Sequence, residues 1–370
     1  PDEWNIYDAY IEHKSGERFA EFSKNNLHIL GYSVPCNINL PLAELLPHIY
    51  TQKNQPDVIP YVTSYYNNIW GFCMSDDDKK SMPDGEYNVV IDAKRGPGSL
   101  EIADLVIEGV SSKEIFFSTY VCHPSMANNE LSGPVLSTAL IQYIKLKYKN
   151  PKYTYRFVFA PETIGGIAYL SNNIESLQDK VICGFNLSCV GDERAYSHVE
   201  SRTGNTLADS ALQSALIGLD NVTTYSFLER GSDERQYCSP GVDLPFCGFC
   251  RTKYGEYPEY HTSADNFDVV TADGLNGSFN VMKTIIDAFE VNLFPKINVK
   301  CEPQLGKRGL RPNISQKGYM GDITTRSNFI AYADGEHSLF DIANLINKNL
   351  KFVIEEVVIL TKHRLIEDKE

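Results

Sequence analysis

The sequence predicts an α/β fold, a mostly parallel sheet with helices on both faces, together with a small β-rich inserted domain and a C-terminal winged helix domain. Apolar, β-rich runs alternate with helical periodicity from Ser99 to about residue 295. The stretch before residue 98 carries short β runs and turn signals, and the stretch after 295 carries three helix-sized segments. At 370 residues, the chain is also longer than one ordinary domain.

One strand–loop–helix unit organises the α/β region. Residues 114–122 are apolar and β-rich, as in a strand that is buried on both faces of a parallel sheet. His123 follows this strand, and apolar residues recur at helical spacing over 132–148. Ligands and metals collect at the carboxyl ends of such strands, so His123 is a first indication of a site.

The remaining elements continue the alternation to both sides. Further strands are predicted at 101–107, 154–160, 181–188 and 243–250, and helices at 164–176, 205–219 and 271–291.

The changes in sequence pattern set the predicted domain boundaries. We assign residues 1–18 and 98–295 to the large α/β domain, 19–97 to the inserted domain and 296–370 to the winged helix domain. Within the inserted domain we expect strands at 27–33, 59–66 and 86–93 and a helix at 40–50; the C-terminal helices are expected near 324–333, 338–347 and 351–362.

Aromatic side chains crowd the inserted domain. Bulky fillers of a small core are the favoured interpretation, and stacking on a ligand is the alternative. The residues concerned are Tyr61, Tyr65, Tyr66, Trp70 and Phe72.

Composition limits the classes of partner. The net charge of −14 argues against nucleic acid as the partner of the whole chain. No apolar run reaches the roughly 18–20 residues of a membrane span. The nine cysteines, with Cys247 and Cys250 inside an apolar run, indicate buried free thiols in a reducing cytoplasm. The chain opens on Pro1, so a removed signal peptide stays an open alternative.

The C-terminal module has little net charge. Residues 296–370 hold twelve Lys and Arg against ten Asp and Glu, a net of +2, which leaves 22 minus 38, or −16, for the rest of the chain. A DNA-reading winged helix shows a clear basic stripe. We therefore favour docking or dimerisation for this module, with a homo-oligomer as the expected assembly, and do not expect nucleic acid as a partner.

Polar residues cluster where the predicted strands end. His123, Asn129 and Glu130 follow one strand, Glu162 follows the next, and Asp233, Arg235, Tyr260 and His261 flank the strand at 243–250. In a parallel sheet these ends share one edge, so two histidines and several carboxylates converge. Two imidazoles and a carboxylate with an open position form a typical catalytic zinc set, and a nearby carboxylate can act as general base. Loop caps and salt bridges are the alternative interpretation.

These residues resemble the zinc exopeptidases of the MH clan, which includes leucyl aminopeptidases, glutamate carboxypeptidases and glutaminyl cyclases. The matched runs are His123, Asn129-Glu130-Leu131-Ser132-Gly133, Pro161-Glu162 with Gly165-Gly166, Asn186-Leu187-Ser188, Ser232-Asp233 and Tyr260-His261-Thr262 with Asp265. The resemblance covers roughly residues 99–295, and the motif around His261 is its most specific part.

The whole chain resembles more closely a bacterial group of aminopeptidase-like proteins with an early β-rich insertion and a C-terminal winged helix. Members of that group are often associated with surface-polysaccharide gene clusters. The resemblance implies that residues 1–18 and 98–295 form the aminopeptidase-like domain and that the insertion is about 19–97.

The chain departs from the family pattern at three positions. Asn129 stands for the Asp that bridges two metals, Ser188 for the Asp of the second metal, and Pro161 for the first Glu of a pair. An amide carbonyl is a weaker ligand than a carboxylate, so one zinc ion per chain is expected. The implied ligands are His123, Asn129, Glu162 and His261, with Glu130 and Asp233 as other candidates for the open place.

The resemblance also implies roles for the other polar residues. Glu162 is either the catalytic base or a ligand, and the sequence leaves both open. Asp233, Tyr260 and Arg235 are the expected substrate-binding residues. The favoured function is a zinc-dependent hydrolase for a small peptide or amino-acid-modified substrate. The alternative is a degenerate peptidase fold that serves as a binding or scaffold module, for instance in surface polysaccharide biosynthesis.

Overall fold

A computed structural model describes residues 2–65, 67–311 and 321–367 of the chain. Within these residues, two main sheets account for most strands. Four strands form the small sheet, in the order 18–19, 2–13, 86–97 and 36–41. Seven form the large sheet, in the order 222–225, 196–199, 246–250, 181–187, 111–120, 153–160 and 103–107.

The small sheet is built on two long antiparallel strands. β1 (Asp2–His13) pairs with β6 (Glu86–Pro97) over its whole length, and β2 (Arg18–Phe19) and β3 (Cys36–Pro41) complete the sheet. The assignment of residues 1–18 to the large domain therefore differs from the observed pairing, since β1 forms its ladder in the small sheet. The alternation of a strand predicts which face is buried, and it does not identify a partner strand 80 residues away.

The described residues before residue 98, which include the small sheet, are called the small unit below. Its middle is less regular than predicted. Where a strand was predicted at 27–33, the chain has the end of a 3₁₀ turn (Asn26–His28) and isolated bridges. Of the strand predicted at 59–66, residues 59–65 contribute only isolated bridges, and Tyr66 lies outside the described residues. The predicted helix at 40–50 is reduced to α1 (Leu42–Leu45), because Pro41 ends β3 and Pro47 lacks the N–H that a continuing helix needs. The other elements are β4 (Ile49–Tyr50), β5 (Phe72–Cys73) and α2 (Asp76–Ser81).

The large sheet confirms the predicted mostly parallel α/β fold. β8 pairs in parallel with β9 and β10, and β10 with β13, whereas β7 and β11 join antiparallel. The strands are β7 (Ala103–Ile107), β8 (Ser111–Tyr120), β9 (Tyr153–Ala160), β10 (Val181–Leu187), β11 (Tyr196–Val199), β12 (Val222–Tyr225) and β13 (Phe246–Cys250). The helices are α3 (Ser132–Lys147), α4 (Ile164–Lys180), α5 (Leu207–Leu216), α6 (Glu234–Tyr237) and α7 (Ala272–Glu290).

Helices cover both faces of the large sheet. Consecutive side chains of β8 point to opposite faces, so Phe117 joins the core under α3, α5 and α7 while Phe116 joins the core under α4 and α6. This two-sided burial explains why residues 114–122 read as an almost continuous apolar run.

The C-terminal winged helix packs directly on the large domain. Its helices are α8 (Gly321–Tyr332), α9 (Leu339–Ile346) and α10 (Leu350–Lys362), close to the predicted bounds. The rings of Phe340 and Phe289 lie 5.1 Å apart, and the side-chain amides of Asn344 and Asn349 donate to the carbonyl oxygens of Ser210 and Ile217. One hydrophobic core therefore runs through both. In the part of the chain that is described, no helix combines the length and the apolar character needed to cross a membrane.

Candidate metal centre

The carboxyl edge of the large sheet brings the two candidate histidines together. His123 follows β8, and His261 lies in the loop after β13; their ring centroids are 5.1 Å apart. His261 has a left-handed backbone, with φ of +57°, which is uncommon for a residue with a Cβ. Its Nε2 is buried without a hydrogen-bond partner among the described residues. Burial, with a contribution from His123, lowers the pKa of His261 to about 4.

His123 is held from one side and faces Glu162 on the other. Its backbone N–H donates to Glu130 Oε2 at 2.8 Å, and its Nδ1 lies 3.3 Å from the same oxygen. Its Nε2 lies 3.9 Å from Glu162 Oε2. Glu130 therefore contacts the Nδ1 side of the imidazole, and Glu162 lies on the Nε2 side. Glu130 was a candidate ligand in the sequence, and here it lies behind His123.

A π-helical turn, Ala127–Leu131, presents Asn129. The amide nitrogen of Asn129 donates to the Tyr120 hydroxyl at 2.6 Å, and Oδ1 is buried without a partner in the described part of the chain. Asp265 holds this turn, because its carboxylate accepts from the backbone N–H groups of Asn128 and Asn129 at 2.6 and 2.9 Å. The last residue of the Tyr-His-Thr…Asp motif thus orients the loop that carries Asn129.

Glu162 begins a second tight turn. Thr163 has a φ of +64°; its N–H donates to Asp233 Oδ1 at 2.8 Å, and its hydroxyl accepts from Arg235 Nη2 at 2.6 Å. Burial raises the pKa of Glu162. Burial also raises the pKa of Asp233 to about 7, and the neighbouring carboxylates Glu162 and Glu234 add to that shift.

Two aromatic rings line the histidines. Tyr260 stacks on His261 with 3.9 Å between centroids, and burial raises the pKa of its hydroxyl. Tyr61, from the small unit, lies edge-on to His261 at 5.2 Å and to His123 at 5.5 Å. Tyr61 was predicted to fill the small core; its place over the histidines has no local signal in the sequence.

The position of the second metal in the resembled family has no carboxylate. The Ser188 hydroxyl lies 3.6 Å from Cys250 Sγ and is buried. The amide of Asn186 donates to Glu234 Oε2 at 3.0 Å.

Cys122 is a neighbour of the site that the sequence analysis did not single out. Its sulfur, a nitrogen of His123 and an oxygen of Glu162 lie within 4.8 Å of one another. The expectation of buried thiols is therefore wrong for Cys122 and Cys301, which are exposed. For Cys122, the signal available in the sequence was its position directly before His123.

These residues fit a zinc ion. Two of the eight buried side-chain atoms that lack a partner among the described residues are His261 Nε2, an imidazole nitrogen, and Asn129 Oδ1, an amide oxygen. His123 and Glu162 add a nitrogen and a carboxylate. Zinc takes nitrogen and oxygen ligands of this kind. Buried polar atoms normally have partners, so the unpartnered His261 Nε2, on a ring next to His123, suits a bound group.

The fold and this edge of the sheet define a peptidase-like α/β protein with a C-terminal winged helix. Similar architecture is found in a zinc aminopeptidase from Bacillus subtilis (TM-score 0.53, 13% identity, 77% of this chain and 84% of that one). A Peptidase M28 precursor from Shewanella amazonensis is also similar (TM-score 0.54, 13% identity, 85% of each chain). At these identities the likeness concerns the fold.

The chain belongs to the family described as "Domain of unknown function (DUF4910)", whose model matches residues 5–292, and a winged helix-turn-helix model matches residues 293–368. It is 40% identical, over 93% of its length and 79% of the relative's, to a Clostridium acetobutylicum protein named as a candidate polysaccharide biosynthesis protein with an aminopeptidase-like domain. A crystal structure of a candidate peptidase from the same organism is similar to it at 36% identity, with a TM-score of 0.89 over 99% of this chain and 84% of that one.

Proposed function

We propose that this protein is a zinc-dependent hydrolase resembling aminopeptidases, which acts on a small peptide or amino-acid-modified substrate. The observation that carries the proposal is the meeting of His123, Glu162 and His261 at one sheet edge, where His261 Nε2 is buried without a partner among the described residues. One zinc ion per chain is proposed, since Asn129 and Ser188 offer no carboxylate for a second.

The residues around the ion have separate tasks. When bound, zinc supplies positive charge that polarises the carbonyl group under attack. Glu162 has a pKa raised by burial, which suits a group that takes a proton from the attacking water and passes it to the leaving amine.

Asp233, Arg235 and Tyr260 are proposed to hold the substrate. Asp233 and Arg235 both contact Thr163, next to Glu162, and Tyr260 stacks on His261. A carboxylate, a guanidinium and an aromatic face at one site can recognise an amine, a carboxylate or carbonyl group and an apolar side chain respectively.

A scaffold role is the second candidate, and the uncharged positions Asn129 and Ser188 favour it. The name of the Clostridium acetobutylicum relative makes surface polysaccharide biosynthesis a proposed setting for either role. A cytoplasmic location and self-association through the winged helix are further proposals.

Metal analysis of wild type, His261→Ala and Glu162→Gln tests the proposal. After dialysis against a weak chelator, wild type should hold about one zinc ion per chain, and His261→Ala should lose most of it. Glu162→Gln should keep zinc and lose turnover if Glu162 is the base, and lose both if it is a ligand. Wild type that cannot be loaded with zinc, cobalt or manganese would refute the hydrolase and leave the scaffold role.

A further inference from the structure

Glu130 is a buried carboxylate directly behind His123. It is 5% exposed, and both of its oxygens accept backbone N–H groups from residues just after β8. Oε1 accepts from the backbone of Cys122 at 2.6 Å, and Oε2 accepts from the backbone of His123 at 2.8 Å. Oε2 also lies 3.3 Å from Nδ1 of the His123 ring.

This contact distinguishes the two ring nitrogens of His123. A carboxylate accepts hydrogen bonds and donates none, so the Nδ1 that faces Glu130 carries the proton and Nε2 keeps its lone pair. Nε2 is the nitrogen that faces Glu162. The sulfur of Cys122 is the competing partner, at 3.2 Å from Nδ1, but a thiol is a weak donor beside an anionic acceptor.

The π-helical turn gives two consecutive residues different tasks. Asn129 has a buried amide oxygen without a partner among the described residues, and Glu130 contacts the Nδ1 side of His123. Asn129 and both histidines are neutral ligands, so Glu162, whether it is base or ligand, is the one proposed group beside the divalent cation that brings a negative charge. A carboxylate hydrogen-bonded to a ligating imidazole raises the basicity of that ligand.

We propose that Glu130 is a positioning residue: it holds His123 with Nδ1 protonated and Nε2 free toward the site, and it supplies, through the imidazole, negative charge that Asn129 does not provide. The contribution of negative charge to the zinc site rests on the proposed function. The tautomer of His123 does not, because it concerns the metal-free protein.

The tautomer is read by ¹⁵N NMR of histidine rings in metal-free protein, with His123→Ala to assign the signals. Wild type and Cys122→Ala should show His123 protonated at Nδ1, whereas Glu130→Gln should shift it toward the Nε2-protonated form. Nδ1 unprotonated in wild type would overturn the proposal, whether or not the protein binds zinc.

A double-mutant cycle tests whether Glu130 contributes negative charge to zinc binding. Zinc affinity is measured against a chromophoric chelator for wild type, Asn129→Asp, Glu130→Gln and the double variant. Glu130→Gln should weaken zinc binding about 10–100-fold. In the Asn129→Asp background, where position 129 carries a carboxylate, Glu130→Gln should reduce the zinc affinity by a smaller factor. Glu175→Gln, an exposed change on α4, should have no effect. An unchanged affinity in Glu130→Gln, or equal losses in both backgrounds, would overturn the charge role. Wild type without zinc affinity would instead refute the proposed hydrolase.

Discussion

The backbone N–H of Tyr61 donates to the carbonyl oxygen of His261 at 2.9 Å, and the Tyr61 ring lies 5.2 Å from the His261 ring. Neighbouring residues make further contacts between the two segments. Pro60 and Thr262 form an antiparallel β-bridge, and Ile59 and Ser263 are joined by two hydrogen bonds of 2.9 Å. The small unit therefore forms one wall of the candidate site, over both histidines.

Replacing Tyr61 should change the titration of His261. Burial is the main cause of the low pKa of His261, and Tyr61→Ala removes a ring that covers it. In the metal-free protein, the pKa of His261 should therefore rise from about 4 toward its usual value. Histidine NMR titration measures this. Tyr61→Phe keeps the ring, and Tyr65→Ala alters a side chain that is 71% exposed; neither should shift it. An unchanged titration in Tyr61→Ala would refute the covering role.

Asp209 should stabilise the fold in a defined range of acid pH. Burial opposes its ionisation, but hydrogen bonds from His198, Ser201 and Thr206 prevail and hold the pKa of Asp209 at about 2, below its ordinary 3.8. The contribution is thus present above about pH 4 and is lost as the pH falls from about 4 to about 2.

Asp209→Asn should remove about 2–3 kcal/mol at neutral pH, the value of nearly two pKa units. Urea denaturation between pH 2 and 7 measures this. The difference from wild type should shrink toward pH 2. A difference that stays constant over that range would mean that the ionised carboxylate is not the cause.

The winged helix and the large domain should lose stability together. Phe340 is fully buried against Phe289 of α7, and truncation of such a ring costs roughly 3–5 kcal/mol. Phe340→Ala should therefore speed hydrogen exchange in α5 and α7 as well as in α9 and α10, as read by mass spectrometry. Val358→Ala is the control, because Val358 is 56% exposed on α10. Faster exchange in the C-terminal helices alone would show that the two parts are independent.

The winged helix should not bind duplex DNA in a salt-sensitive way. The N-cap residue of α10, Asn349, donates to the Ile217 carbonyl at 2.9 Å, so this end of the helix is occupied by the large domain. The net charge of the module, +2, also provides no basic stripe. Anisotropy with labelled duplex, from about 50 to 200 mM salt, measures this. A slope of several units in log affinity against log salt would contradict it.

The long elements of the large domain could be predicted because their signals are local. The four-residue elements β11, β12 and α6 were missed, since so few residues show no clear periodicity. The two-sided burial of β8 appears as an apolar run at 114–122, and the buried face of α7 appears as helical periodicity over 271–291. The small unit was predicted less well. Its short segments contain prolines such as Pro47 and Pro60, and β1 finds its partner about 80 residues away.

The candidate site likewise contains residues whose positions could be predicted and others whose positions could not. The convergence of His123, Glu162 and His261 followed from their places at the ends of parallel strands, and the structure brings them together. Their roles as ligands or base stay predictions. The position of Tyr61 over the histidines and of Glu130 behind His123 could not be predicted, because each depends on how a loop folds back.

The sequence by itself determined the α/β class, the order of the five predicted strands and four predicted helices in the large domain, the C-terminal winged helix and the residue types at the sheet edge. Periodicity and composition are properties of neighbouring residues, so a single chain displays them. Only the tertiary structure decided that β1 belongs to the small sheet, that the small unit covers the histidines and that the winged helix shares the core of the large domain. These outcomes depend on contacts between distant segments, whose free energy comes from burying complementary surfaces that no local pattern identifies.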